Sequence, residues 1–215
     1  MINNISLHIA DSREQYENPE IRILSRSDPH IWKDCSLAAG IHYNTRLQKN
    51  HYHLFIPIYG DLQIYSDNQI IQINIGQVLL LSTDHTTKLD LMNVEAQKKT
   101  NFIHLIIPKE DKTEAIAPWQ EIYTIQLSDT PNSWLKAEFT QPIPFAISLG
   151  AFYSGQTFNY DVNVFFSNHL ISVIDGALEI EERIVYDGDM LHIRELLQLE
   201  IESLTPYTVG IMLEW

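Results

Sequence analysis

The pattern with the most direct chemical meaning is His51-Tyr52-His53, two imidazoles one residue apart. On a strand, residues i and i+2 point to the same face, so such a pair has the geometry of a chelate. Asp84-His85 and His104 lie downstream. Together they make His51, His53, His85 and His104 the candidate ligands for iron or another divalent metal. The surrounding residues favour a different reading of the pair. Tyr52, Leu54, Ile56 and Ile58 form one apolar face of the same strand, which turns His51 and His53 the other way, as surface or interface histidines. His104 sits in Asn101-Phe102-Ile103-His104-Leu105-Ile106. It reads equally as a core histidine with one satisfied hydrogen bond or as a polar group in a pocket.

The remaining reactive residues carry less. Asp175, Glu179, Glu181 and Glu182 cluster, but carboxylates on strands and turns of an acidic protein are ordinarily solvated. Cys35 is the single cysteine. It rules out an intramolecular disulfide and any multi-cysteine metal site, and it lacks the context of a nucleophile. No nucleophile elbow, phosphate-binding loop or dinucleotide fingerprint occurs. The chain has 215 residues and a net charge of -14. That charge repels nucleic-acid backbones and anionic membrane surfaces. The start, MINNISLHIADSREQYENPE, has neither the basic region nor the apolar core of a secretion signal, so the expected location is cytoplasmic.

The elements that must position these residues are strands. Tyr52–Ile58, Leu62–Tyr65, Gln69–Ile75, Val78–Leu81 and Phe102–Ile107 alternate or run apolar, separated by turn residues such as Tyr59-Gly60-Asp61 and Ser66-Asp67-Asn68. Short strands at this spacing predict a sandwich or barrel. Ser36 to Asn44 reads as one strand, and the charged stretch Lys109–Ala117, between two prolines, as a linker with room for a short helix. The pattern then repeats. Ile58-Tyr59-Gly60-Asp61-Leu62-Gln63-Ile64 overlies Ile174-Asp175-Gly176-Ala177-Leu178-Glu179-Ile180, and the stretch around Gly76 overlies that around Gly188. Two copies of one β module follow. The repeat also favours a strand over a helix in Ile193–Ile201. The expected division is 1–108, a connecting segment 109–144, and 145–215.

At this level the sequence resembles the pirin-like bicupins of the cupin superfamily. The resemblance rests on Leu54-Phe55-Ile56-Pro57-Ile58-Tyr59-Gly60, Gly76-Gln77-Val78-Leu79-Leu80-Leu81-Ser82-Thr83 and Asp187-Gly188-Asp189-Met190-Leu191-His192-Ile193. It implies an all-β fold of two jelly-roll-like barrels packed together, with few short helices. It also implies an iron held in the first barrel by a His-x-His pair, a later His and a Glu. Some members of the family cleave the flavonol quercetin with O2, and one animal member is a nuclear transcriptional co-regulator.

Counting back from Gly60, the family's His-x-His positions fall on Arg46 and Gln48, and the later ones on Leu89 and Leu91, or on Thr87. None is a ligand for iron. In the second copy the same positions fall on Val162, Val164, Leu197 and Leu199. The sequence therefore reads as a bicupin without the metal, more a binding or regulatory protein than an enzyme. Its expected ligand site comprises Arg46, Gln48, Tyr52 and His104. Arg46 would be a carboxylate-holding group or a residue of the barrel rim. The expected partner is a small organic ligand or another protein, and the chain a monomer or homodimer. The alternative is a quercetinase-like dioxygenase with a rearranged metal site on the four histidines.

Overall fold

The computed structural model describes residues 4–66, 69–109, 118–128, 130–195 and 197–215. The predicted turn at Ser66-Asp67-Asn68 and the short helix within Lys109–Ala117 fall largely outside these residues, as does Leu196. Among the described residues the only helix is a 3-10 turn at Ala10–Ser12, and everything else regular is strand. No helix among them is long and apolar enough to cross a membrane.

In chain order the strands begin with β1 (Ile5–His8), β2 (Glu14–Glu17), β3 (Ile21–Arg26), β4 (Ile31–Leu37) and β5 (His42–Leu47). They continue with β6 (His51–Tyr59), β7 (Leu62–Ser66), β8 (Gln69–Ile73), β9 (Gln77–Thr83) and β10 (Thr87–Asn93). Next come β11 (Thr100–Pro108), β12 (Trp119–Thr124), β13 (Ser133–Lys136), β14 (Ala146–Tyr153) and β15 (Thr157–Asp161). The last are β16 (Asn168–Asp175), β17 (Ala177–Ile180), β18 (Arg183–Tyr186), β19 (Met190–Arg194), β20 (Gln198–Ser203) and β21 (Tyr207–Glu214). The expected strand at Ser36–Asn44 is two strands. The chain turns between Leu37 and His42, where Gly40 takes a φ of 65°.

The chain divides into two compact units, Arg13–Thr124 and Met1–Ser12 with Ile125–Trp215. This differs from the division expected at residue 108, and strand pairing is the reason. β12 pairs with β9 and so completes the first unit. β1 pairs with β19, Ile5 facing Ile193, and so belongs to the second.

In the first unit a seven-stranded sheet, β12-β9-β6-β11-β4-β3-β2, accompanies a four-stranded sheet, β5-β10-β7-β8. Their inner faces share an apolar core that includes Leu47, Phe55, Leu79, Leu89, Leu91 and Phe102. The second unit repeats the plan, with β1-β19-β16-β21-β14-β13 and β15-β20-β17-β18. Its core includes Phe152, Ile171, Val173, Leu178, Leu199 and Met212.

The repeated glycines mark equivalent tight turns. Gly60 and Gly176 have φ of 74° and 87°, a region open to glycine at little cost. A Cβ on Gly60 would lie 2.9 Å from the Thr100 hydroxyl, and one on Gly176 2.7 Å from that of Thr208. In the first unit, buried Asn93 ties this end together. Its Nδ2 donates to the carbonyls of Leu37, Ala38 and Lys98, and its Oδ1 accepts from the Glu95 N–H and the Thr100 hydroxyl.

Candidate functional site

Strand β6 positions the histidines, and both of its faces are buried from Tyr52 to Pro57. Phe55 belongs to the barrel core, whereas Tyr52, Leu54 and Ile56 do not. Alternation therefore puts His53 on the interior face and Tyr52 on the outer one. This corrects the expectation for His53, which is fully buried rather than at the surface. An apolar alternate face marks a strand's interior side only when the other face is polar. Here the other face carries Phe55 and Pro57.

Cross-strand pairing sets His104 of β11 opposite Phe55. The two rings stack 4.2 Å apart, and His104 Nε2 lies 3.2 Å from His53 Nδ1. His53 Nε2 lies 3.0 Å from the Gln48 carbonyl. A carbonyl only accepts, so His53 Nε2 carries the proton and its Nδ1 must accept from His104 Nε2–H. The pair is thus a chain of two neutral imidazoles ending on a backbone oxygen. Burial pushes His53 down to about 4, further lowered by His51, Lys33 and Lys109. Burial, then His53 and Lys33, push His104 well below the ordinary histidine range.

The four residues expected to share one ligand site do not converge. His104 faces the first barrel's interior and Tyr52 the opposite side of its sheet. Arg46 and Gln48 are exposed. On β5 the inward positions are Tyr43 and Leu47, and Thr45 between them, so Arg46 points away from the core. A strand's side chains alternate between faces, so Arg46, next to inward Leu47, lies on the outer one. Gln48 enters only through its carbonyl, which accepts from His53 and from the Thr83 hydroxyl. Among the alternative metal candidates, His51 is half-buried, with its ring 6.2 Å from that of His53. His85 stands exposed beside Asp84 on the loop after β9.

A metal of the kind the cupin scaffold implies does not fit the residues present in the first barrel. Facing inward positions of β5 and β10 carry Thr45 and Leu47 against Leu89 and Thr87, hydroxyls and hydrocarbon that offer no nitrogen or carboxylate donor. His53 has both ring nitrogens engaged in hydrogen bonds. Among the described residues, no three His, Cys, Asp or Glu side chains gather closely enough to hold an ion. What the same region offers is an open cleft of about 390 Å³. Leu47, Ile71, Leu81 and Leu89 form its apolar wall and Trp119 adds an aromatic face, with Thr83, His85 and Thr87 supplying polar groups.

The second barrel holds a buried ionisable cluster that sequence reading missed. His169 of β16 lies directly opposite Glu214 of β21, and both are buried. Their closest approach is 3.5 Å, from Nε2 to Oε1. The Tyr160 hydroxyl lies 3.5 Å from each Glu214 oxygen. Burial and then Glu214 push the Tyr160 phenol up. The signal was in the repeat. Carrying the Gly60–Gly176 correspondence back seven residues puts His53 on His169.

Solved structures share this architecture. YhhW from Escherichia coli superposes with a TM-score of 0.82 over 98% of this chain and 97% of its own, at 13% identity. A second structure, of bacterial pirin YhhW in complex with nickel(II), gives the same score and identity over 98% of each chain. The chain has a pirin-like bicupin fold. Quercetin 2,3-dioxygenase from Acinetobacter baumannii shares it too, with a TM-score of 0.75 and 10% identity over 97% of this chain and 85% of that one. No protein-family model matches the sequence, and no curated protein sequence matches it. At these identities the likeness concerns the bicupin's fold alone.

Proposed function

We propose that this bicupin is a small-molecule-binding protein whose first barrel has exchanged metal chemistry for an apolar cleft. The observation that carries the reading is the composition of that cleft. Its volume, about 390 Å³, falls in the range of ligand sites, and such sites are mostly apolar with a few placed polar groups. Leu47 and Leu89, at the inward positions of β5 and β10, form part of its wall.

The polar groups narrow the ligand class. The Thr83 hydroxyl already donates to the Gln48 carbonyl, and the Thr87 hydroxyl points at the His85 carbonyl. Both oxygens remain free to accept, which suits a ligand that brings hydroxyl donors. Among the described residues that line the cleft none is Lys or Arg, the nearby Lys109 ammonium donates to the Thr83 carbonyl, and the chain carries a net charge of -14, which disfavours an anion. The favoured ligand is a neutral, largely apolar, hydroxylated molecule able to lie against Trp119. A carboxylate held by Arg46 loses its support, because Arg46 faces away.

The test is a thermal-shift and tryptophan-fluorescence screen of neutral phenols and hydroxylated terpenoids against carboxylates of equal size. Binding of the neutral class is expected. Leu89→Trp, which fills the cleft, is expected to abolish it, and Trp119→Phe to remove the fluorescence response. Binding of carboxylates alone, or neutral binding that survives Leu89→Trp, overturns the reading. The shared fold with a quercetin dioxygenase makes quercetin turnover with Fe(II) and O2 the competing reading. Turnover that depends on His53 and His104 would establish it instead.

A further inference from the structure

We propose that His169, Glu214 and Tyr160 form a binding site for one divalent first-row cation of the zinc class, enclosed in the second barrel. This inference is independent of the cleft in the first barrel. Three strands deliver the donors to one point. His169 and Glu214 face each other across β16 and β21, and both point inward, as Ile171 and Met212 on the same faces show. Tyr160 of β15 packs against the same core.

The buried groups are left without ordinary partners. Neither ring nitrogen of His169 makes a hydrogen bond, although the residue is fully buried. Glu214 is 2% exposed. Its described contacts, with His169 Nε2, the Tyr160 hydroxyl and the Asn163 N–H, all stand at 3.5 Å. A buried carboxylate needs a cation or close hydrogen bonds, and contacts of this length are poor hydrogen bonds.

The spacing has a simple geometric meaning. Donors about 2.1 Å from a tetrahedral ion lie about 3.4 Å from one another. The imidazole nitrogen and the phenol oxygen each stand 3.5 Å from the same Glu214 oxygen, which matches that edge. A trapped water fits less well. At about 2.8 Å from two groups 3.5 Å apart it would bond them at an angle of about 77°, well inside its preferred tetrahedral value. The donor set of one nitrogen and two oxygens suits Zn(II) or Co(II) rather than a thiophilic ion. Val162, Ile193, Leu199 and Met212 belong to the same apolar core.

The experiment uses the full chain, stripped with chelator and titrated with Co(II) and Zn(II). Expected are one equivalent per chain, an intense visible Co(II) spectrum of tetrahedral type, and a rise in thermal midpoint with Zn(II). Glu214→Gln is expected to weaken binding at least 100-fold. Tyr160→Phe removes one oxygen from a half-buried residue and so keeps the barrel intact; it is expected to weaken binding at least tenfold. The first-barrel variant His53→Gln/His104→Gln is expected to bind like the parent. Less than half an equivalent at 100 µM free Zn(II), retained affinity in Tyr160→Phe, or loss of binding in the first-barrel variant each overturns the proposal.

Discussion

Lowering the pH from 7 to 4.5 should destabilise the first barrel through its buried imidazole pair. An unfolded chain titrates His53 near 6.5, whereas in the folded barrel burial holds it at about 4. The folded state therefore binds fewer protons between these values, and stability is lost as the pH falls through that window. Each tenfold difference in proton affinity is worth about 1.4 kcal/mol. His53 alone then costs about 2 kcal/mol at pH 4.5, rising to about 3 kcal/mol below pH 4. His104, lowered still further by burial, acts in the same direction, so the loss belongs to the coupled pair. The structural reason is specific: protonated His53 would carry a hydrogen on Nδ1, aimed at the His104 Nε2–H it now accepts from. The assay is urea unfolding of the full chain at both pH values, followed by amide hydrogen exchange in peptides covering β6 and β11. The reference is His53→Gln/His104→Gln, which does not titrate there. His30, also lowered by burial, contributes equally to both proteins and cancels. The parent should lose at least about 2 kcal/mol more than the reference. Equal losses, to within about 0.5 kcal/mol, would refute the assignment of a neutral, hydrogen-bonded pair.

Three further outcomes follow from geometry. Asn93→Asp keeps the shape of a buried side chain but turns its donor into a carboxylate facing three backbone carbonyls. It should cost about 2–4 kcal/mol at pH 7 and less in acid, as read by chemical denaturation; a cost under about 1 kcal/mol contradicts the network. Gly176→Ala places a Cβ 2.4 Å from the Thr205 hydroxyl at a φ of 87° and should cost about 3 kcal/mol, whereas Gly155→Ala, with a φ of 84° and open space around it, should cost about 1 kcal/mol. Equal thermal shifts for the two would show that the crowding at Gly176 relaxes freely. Arg46→Ala should leave ligand affinity in the first barrel within about twofold, since the side chain points to solvent; a loss of tenfold or more in titration calorimetry would place Arg46 in the site after all.

The all-β architecture and its duplication were legible because they rest on local signals. Alternation in Tyr52–Ile58 located β6, and the two glycine turns located the repeat. What alternation could not tell was which side of β6 faces the core, because Phe55 and Pro57 make the second face apolar too. His53 was read as outward for that reason. The cluster in the second barrel depends on β16 and β21 lying side by side. Nothing within either segment records that pairing, and Glu214 in isolation resembles any other carboxylate of an acidic chain. Only the duplication held a clue, through the His53–His169 correspondence. The affiliation of residues 5–8 was hidden in the same way, since Ile5 meets a strand far along the sequence.

That last pairing has a consequence for biogenesis. β1 emerges from the ribosome long before β19, the strand it pairs with. The Arg13–Thr124 barrel contains all of its own strands, so it can close while the remainder is still being synthesised. Throughout that interval β1 must wait as an unpaired edge-forming segment, tethered to a finished neighbour and open to capture by the β1–β19 position of another nascent chain. Exchange of this short segment between two copies would satisfy the same hydrogen bonds in both. Slow translation downstream of residue 124 should therefore increase the yield of strand-exchanged dimers.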